Sequence, residues 1–286
     1  MKKDQTIVKV GTGVVSNYDR TRIDHAAMAS IGQDIAAIEG VHVGSKTERL
    51  DHEGSVVLVS SGAVTAGKEK LGLDTRLFTD IRMKQMAAMV GNTMLFQLWE
   101  QATGITVGHD LPTHNDLSHQ EHWDNMAGVV ATNLQYGVLS VFNDGDARST
   151  EELEETVRRN GREMKRFGDN DQLAAQLGLN LHAFANSLVT QSTRVIFLTD
   201  TDGVREDARY ASSRLSAIAA SDLDAVIDNC VVTTETESNG GMESKLLAAK
   251  DLALAGIPVS IGAGKDAHAL QRLYQYDANF GTHILV

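Results

Sequence analysis

Ser55-Val56-Val57-Leu58-Val59-Ser60 is a short run rich in β-branched residues, and Ser61-Gly62-Ala63-Val64-Thr65-Ala66-Gly67-Lys68-Glu69 follows it at once. The run is apolar throughout rather than alternating, the pattern of a strand covered on both faces of a parallel sheet. A glycine and small residues then lead into a helical pattern. Similar runs recur at residues 6–10, 138–142, 194–199 and 258–261. Helical stretches lie between them at residues 81–101, 170–179 and 243–255, the last stopping at Gly256 and Pro258. Ser118 and Glu121 have capping-box spacing and predict a helix from there through Tyr136. Strand–helix alternation over the whole length predicts an α/β fold, a three-layer αβα sandwich with a mainly parallel central sheet. Residues 1–286 are expected to form a single domain, with 41–54 a polar surface loop or hairpin and 283–286 a terminal strand.

The chain is 42% hydrophobic and 22% charged, enough apolar material for a sizeable core and too much for wholesale disorder. Lys and Arg number 26 against 38 Asp and Glu, a net charge of −12. Such a chain is not expected to hold a nucleic-acid backbone or an anionic membrane over a broad face. An anionic ligand must instead be met by a few local cations and backbone N–H groups. The lone Cys230 excludes an internal disulfide and a multi-cysteine zinc site, suits a reducing cytoplasm, and reads as a small core residue. No apolar run approaches a membrane span, and the N-terminus lacks a signal-peptide pattern, so a cytoplasmic protein with no membrane partner is expected.

Ligands in open α/β sheets sit at the C-terminal ends of strands, so the residues after each run matter most. Lys9-Val10-Gly11-Thr12-Gly13 lacks the third glycine of a dinucleotide fingerprint, yet sets a lysine at a strand end. The alternative is a tight turn with Lys9 solvated. Gly62 to Lys68 matches most of a Walker A loop, but Glu69 stands where a Mg²⁺-binding hydroxyl is required, so the P-loop reading fails. Ser61-Gly62 either binds an anion at a helix N-terminus or only caps it. Gly240-Gly241-Met242-Glu243-Ser244-Lys245 places Lys245 on a first helical turn, where the dipole disfavours a cation unless it faces a polyanion. A solvated helix lysine is the alternative. Gly168-Asp169-Asn170-Asp171 and Asn143-Asp144-Gly145-Asp146 are either turns with N-caps or a polar site for Mg²⁺, ammonium groups or lysine positioning. His109, His114, His119 and His122 crowd one region, but only His119 and His122 share a helical face; polar loop histidines are expected, with no metal ligands.

Several segments, taken in order, resemble the amino acid kinase family in its glutamate 5-kinase branch. They are Val8-Lys9-Val10-Gly11-Thr12, Val59-Ser60-Ser61-Gly62-Ala63-Val64, Lys84-Gln85 through Val90-Gly91 to Gln97-Leu98-Trp99-Glu100-Gln101, Phe167-Gly168-Asp169-Asn170-Asp171, Leu198-Thr199-Asp200, Gly240-Gly241-Met242 to Lys245, and Phe280-Gly281-Thr282. The resemblance covers essentially the entire chain. It implies an ATP-dependent, Mg²⁺-requiring kinase that phosphorylates the side-chain carboxylate of L-glutamate to L-glutamyl 5-phosphate, the first step of proline biosynthesis. It implies that Lys9 and Lys245 neutralise the phosphoryl group in flight and that Asp171 organises them. Ser61, Asp146 and Asn170 would hold glutamate, Asp146 through the α-ammonium, with Gly62 beside the transferring phosphate. Lys9, Thr199, Asp200 and the loop Asn239, Gly240, Gly241, Met242, Glu243, Ser244 and Lys245 would hold the nucleotide. It also implies a homodimer or homotetramer, with part of the apolar surface of the 81–101 helix as interface. Many relatives carry a C-terminal PUA domain, and none is expected here.

Two departures bear on the substrate. The family usually has Asn-Glu-Asn-Asp where this chain has Asn143-Asp144-Gly145-Asp146, and often Asn-Ala-Arg where this chain has Asn125-Met126-Ala127. They leave open a related kinase acting on another carboxylate, or a catalytically weak sensor of amino acid or nucleotide. A carboxylate is already a nucleophile, so such an enzyme needs positioning and charge stabilisation rather than a general base.

Overall fold

The computed structural model describes residues 4–41, 54–113, 116–145, 156–159, 162–165, 169–188, 192–207, 209–233 and 240–286. Strand β1 (Gln5–Val10) leads into a short α1 (Thr12–Val15) and then α2 (His25–Glu39). Strand β2 (Val56–Ser60) leads into α3 (Ala63–Leu71) and the long α4 (Ile81–Thr103), followed by β3 (Val107–Asp110), α5 (Gln120–Gln135) and β4 (Leu139–Phe142). A hairpin of β5 (Thr156–Arg159) and β6 (Arg162–Lys165) precedes α6 (Asp169–Leu188). The second half runs β7 (Thr193–Thr199), β8 (Ala217–Ala219), α7 (Leu223–Thr233), α8 (Gly240–Leu254), β9 (Val259–Ala263), α9 (Ala269–Tyr274) and β10 (Thr282–Leu285).

One eight-stranded sheet carries the order β3-β4-β2-β1-β7-β9-β10-β8. Every pairing from β3 to β9 is parallel; β10 runs antiparallel to β9 and parallel to β8. The αβα expectation and the mainly parallel sheet are therefore both met. Successive strand residues point to opposite faces. Ile7, Val57, Val195 and Phe197 face the layer built by α5, α6, α7 and α8. Val8, Val10, Leu58 and Ile196 face the layer of α1, α2, α3, α4 and α9. Period two then sets Lys9, two residues after Ile7, on the α5–α8 side. The chain leaves β1 toward β2 on one side and returns to β7 on the other, so a ligand crevice is expected at the C-terminal end of β1. Among the described residues no helix is long and apolar enough to cross a membrane.

Three expectations need correction. Helix α6 runs to Leu188, well past the expected end at 179. Gly178, inside it, marks close packing rather than a stop, because a Cβ there would press on Leu252 and Val195. Helix α5 begins at Gln120 with His119 rather than Ser118 at its N-cap, one residue later than the capping-box spacing predicted, and His119 makes no side-chain cap. The last strand begins one residue early, at Thr282. Residues 42–53 and the Cys230 side chain lie outside the described residues.

Helices α3 and α4 pack backbone to backbone. A Cβ at Gly91 would be driven into the Ala63 carbonyl oxygen, and one at Gly67 into the Ala87 carbonyl oxygen. The contact fixes where α3 starts, and hence where Ser61 and Gly62 lie. Gly→Ala in an exposed helix gains about 1 kcal/mol. Gly91→Ala is expected to reverse that sign and cost about 1–3 kcal/mol through overpacking, measured by urea denaturation.

Candidate active site

The pleat of β1 turns Lys9 toward α6, and α8 brings Lys245 to the same place. Lys9 Nζ lies 2.6 Å from Asp171 Oδ1, and Lys245 Nζ lies 3.2 Å from Asp171 Oδ2. Lys245 also donates to the Gly241 carbonyl oxygen at 2.9 Å. The three residues are only 5%, 6% and 2% exposed in the order Lys9, Lys245, Asp171. Charges so deeply buried are costly unless paired. Burial pushes the Asp171 carboxyl up, but the fields of Lys9 and Lys245 outweigh it and hold the group below its ordinary value of 3.8. Two ammonium groups and one carboxylate make a set one positive charge above neutral, which suits an anionic ligand.

Backbone donors stand beside this set. Helix α3 starts behind Gly62, whose φ of +109° is left-handed and whose side has no room for a Cβ, since Val15 Cγ2 would lie 2.6 Å away. No side chain caps α3 among the described residues, so its first N–H groups remain available to an anion. Thr199 ends β7 and donates to Asp200 Oδ1 at 3.2 Å. A Cβ at Gly13 would sit 2.9 Å from Asp200 Oδ2, which places Asp200 against α1.

The glycine-rich entry to α8 divides. Gly241 and Lys245 reach the charged set, while Met242 packs into the α5–α8 core. Ser244 is buried, and its hydroxyl has no hydrogen-bond partner among the described residues. Burial pushes the Glu243 carboxyl up. Because α8 begins at Gly240, Lys245 occupies the second turn rather than the first, where the opposition of the helix dipole has begun to fade. Asn239 and Asp146 lie outside the described residues.

A chain of buried side chains adjoins the charges. Asn170 donates through Nδ2 to Asn143 Oδ1 at 2.9 Å and to Ser61 Oγ at 3.2 Å, and its Oδ1 accepts from the Asp144 N–H at 3.2 Å. Asn143 Nδ2 in turn donates to Asn92 Oδ1 on α4 at 2.9 Å. Ser61 and Asn170 thus meet as the sequence led one to expect; Asn92 was missed. The available signal was its place on the buried stripe of α4, in register with Ala88, Leu95 and Trp99.

The Walker-like lysine serves packing, lying 5.6 Å over the Phe78 ring, and Glu69 accepts from the Ile23 N–H at 2.6 Å. His109 stacks on Phe96, and His119 and His122 pack ring against ring; His114 lies outside the described residues. A cavity of about 830 Å³ lies apart from the lysines, between β3, β4 and α5. Trp123, Met126, Val130 and Phe142 line it together with Asp110, Asp116, His122 and Asn125, and none of the three buried charges is part of its wall.

A sequence profile of the amino acid kinase family matches residues 4–263. The chain belongs to the amino acid kinase family. It is similar to the glutamate 5-kinase of Oceanobacillus iheyensis, with 30% identity over 92% of this chain and 63% of that protein. The glutamate 5-kinase of Thioalkalivibrio sulfidiphilus is 32% identical over 95% of this chain and 65% of its own length. The chain therefore spans slightly less than two thirds of the length of these relatives. Among solved structures it resembles a carbamate kinase from Giardia lamblia bound to AMP-PNP, with a TM-score of 0.58 and 15% identity, covering 99% of this chain and 98% of that one. At that identity the likeness is one of fold.

Within this amino acid kinase, Asp171 has a depressed carboxyl, so its stabilising contribution is present above 3.8 and is lost as pH falls through the lower folded value. Asp171→Asn leaves two buried ammonium groups without their counter-ion. It is expected to cost about 3–5 kcal/mol at pH 7 by chemical denaturation. The gap to the parent should close only in strong acid.

Proposed function

We propose that this kinase transfers the γ-phosphoryl group of ATP to the side-chain carboxylate of L-glutamate, giving L-glutamyl 5-phosphate and ADP, the first step of proline biosynthesis. The observation that carries the transfer chemistry is the buried Lys9–Asp171–Lys245 set beside the uncapped start of α3. The choice of glutamate rests on the named relatives and on the buried amide and hydroxyl groups next to the charges.

A carboxylate oxygen attacks the γ-phosphorus while the bond to the β–γ bridging oxygen breaks and ADP departs. No proton has to be removed from the nucleophile. Lys9 and Lys245 take up charge on the equatorial and bridging oxygens, and Asp171 holds both ammonium groups in place. The N–H groups at the start of α3 hold the transferring phosphate, next to Gly62. Thr199, Asp200 and the first turn of α8 receive the nucleotide. Ser61 receives the carboxylate of the amino acid, its hydroxyl held by the neighbouring Asn170, and Asp146 is the proposed acceptor for the ammonium group. Mg²⁺ would enter with the nucleotide beside Thr199, Asp200 and the lysines. When bound it would neutralise phosphate charge. The proposal extends to a cytoplasmic homo-oligomer, with the 64%-exposed Met89 of α4 in its interface.

A sensor of amino acid or nucleotide has no need for two lysines on one carboxylate, and that contact favours catalysis. Hydroxylamine traps acyl phosphates as hydroxamates and tests the reading directly. With Mg-ATP, L-glutamate should give the fastest hydroxamate formation in a panel with L-aspartate, N-acetyl-L-glutamate and glutarate. A faster rate with another acid would reassign the substrate, and no hydroxamate from any acid would favour the sensor.

A further inference from the structure

The asparagine chain has a direction, and a main-chain group sets it. The Asp144 N–H can only donate, so the Asn170 amide atom facing it is oxygen. The other end of Asn170 is then NH₂, and its two protons go to Asn143 Oδ1 and Ser61 Oγ. Asn143 must therefore present its own NH₂ to Asn92, which accepts through Oδ1. The four side chains are at most 8% exposed, so water does not compete for these bonds.

Both protons of the Asn170 amide are spent within the protein, which leaves none for a substrate carboxylate. Ser61 differs. Its main-chain N–H donates to the Val10 carbonyl oxygen at 3.0 Å, and its hydroxyl oxygen accepts from Asn170. Its hydroxyl proton forms no bond to a described residue, so it is the donor the chain presents to an incoming acceptor.

We infer that Asn92, on α4 in the opposite helical layer, is a positioning residue for substrate binding: through Asn143 and Asn170 it fixes the Ser61 hydroxyl as donor to the substrate carboxylate. Asn92 touches neither substrate nor phosphate. Without its acceptor the Asn143 NH₂ is buried and unsatisfied, so Asn143 must turn, and the partner that holds Asn170 in place turns with it. The inference rests on the proposed acyl-phosphate chemistry but not on glutamate itself. The test therefore uses whichever carboxylate the parent enzyme phosphorylates best.

The measurement is a double-mutant cycle on that substrate with Asn92→Leu, Ser61→Ala and the pair, folding being checked by thermal melting. Asn92→Leu is close to isosteric and lacks the acceptor. It should raise the KM for the carboxylate roughly 5- to 100-fold while moving the KM for ATP less than about two-fold. In the Ser61→Ala background the same change should add little, because the group it positions is gone. Should Asn92→Leu fail to fold, Asn92→Ala is read in the same cycle. An unchanged carboxylate KM, equal rises in both KM values, or full additivity with Ser61→Ala would each overturn the inference. Failure of the parent to phosphorylate any carboxylate would instead overturn the proposed function.

Discussion

Two buried lysines share one buried carboxylate, and the architecture is arranged around that contact. Lys9 comes from the central strand, Asp171 from α6 and Lys245 from α8, so the three meet only if both helices cover the same face of β1. None of the three charges could stay out of water alone. Together they are stable but not neutral, and the surplus is positive in a chain whose net charge is −12. An anion approaching this protein is repelled by its net charge at long range and finds a local positive surplus at the C-terminal end of β1.

The opposite helical layer contributes geometry rather than charge. Close contact through Gly67 and Gly91 sets α3 against α4 and so places the start of α3 over the strand ends. Trp99 donates to Ser60 Oγ at 2.8 Å and ties α4 to β2 one residue before Ser61. The chain from Asn92 through Asn143 to Asn170 then crosses the top of the sheet and joins this layer to the one that carries the lysines. The two layers thus meet at the C-terminal ends of the strands, one bringing Ser61 and Asn92 and the other Asn170 and the three buried charges.

The central strands were legible because burial on both faces leaves a continuous apolar signature, as Val56–Ser60 displays. Strands β3 and β8 were not, because Val-Gly-His-Asp and Ala-Ile-Ala are short and partly exposed and bear no such signature. The lysines, Asp171, Ser61 and Asn170 could be named in advance from their loops and from the family resemblance. What could not be read was how they meet. Lys245 lay one helical turn further along than the sequence suggested, Met242 turned into the core, and Asn170 spends its amide protons on the protein itself. Those outcomes depend on helix phase and packing between elements far apart in sequence, which local patterns do not encode. Asp146 and Asn239 remain proposals drawn from the resemblance alone.

The most direct test separates charge stabilisation from folding and from binding. Removing either lysine leaves the other paired with Asp171, a neutral pair, so Lys9→Ala and Lys245→Ala should fold. If the surplus charge serves the phosphoryl group in transit, steady-state kinetics on each variant should show kcat reduced about 10²- to 10³-fold. The KM for the carboxylate should stay within a few-fold of the parent. Near-normal kcat in both variants, with the loss confined to stability or to KM, would contradict the account.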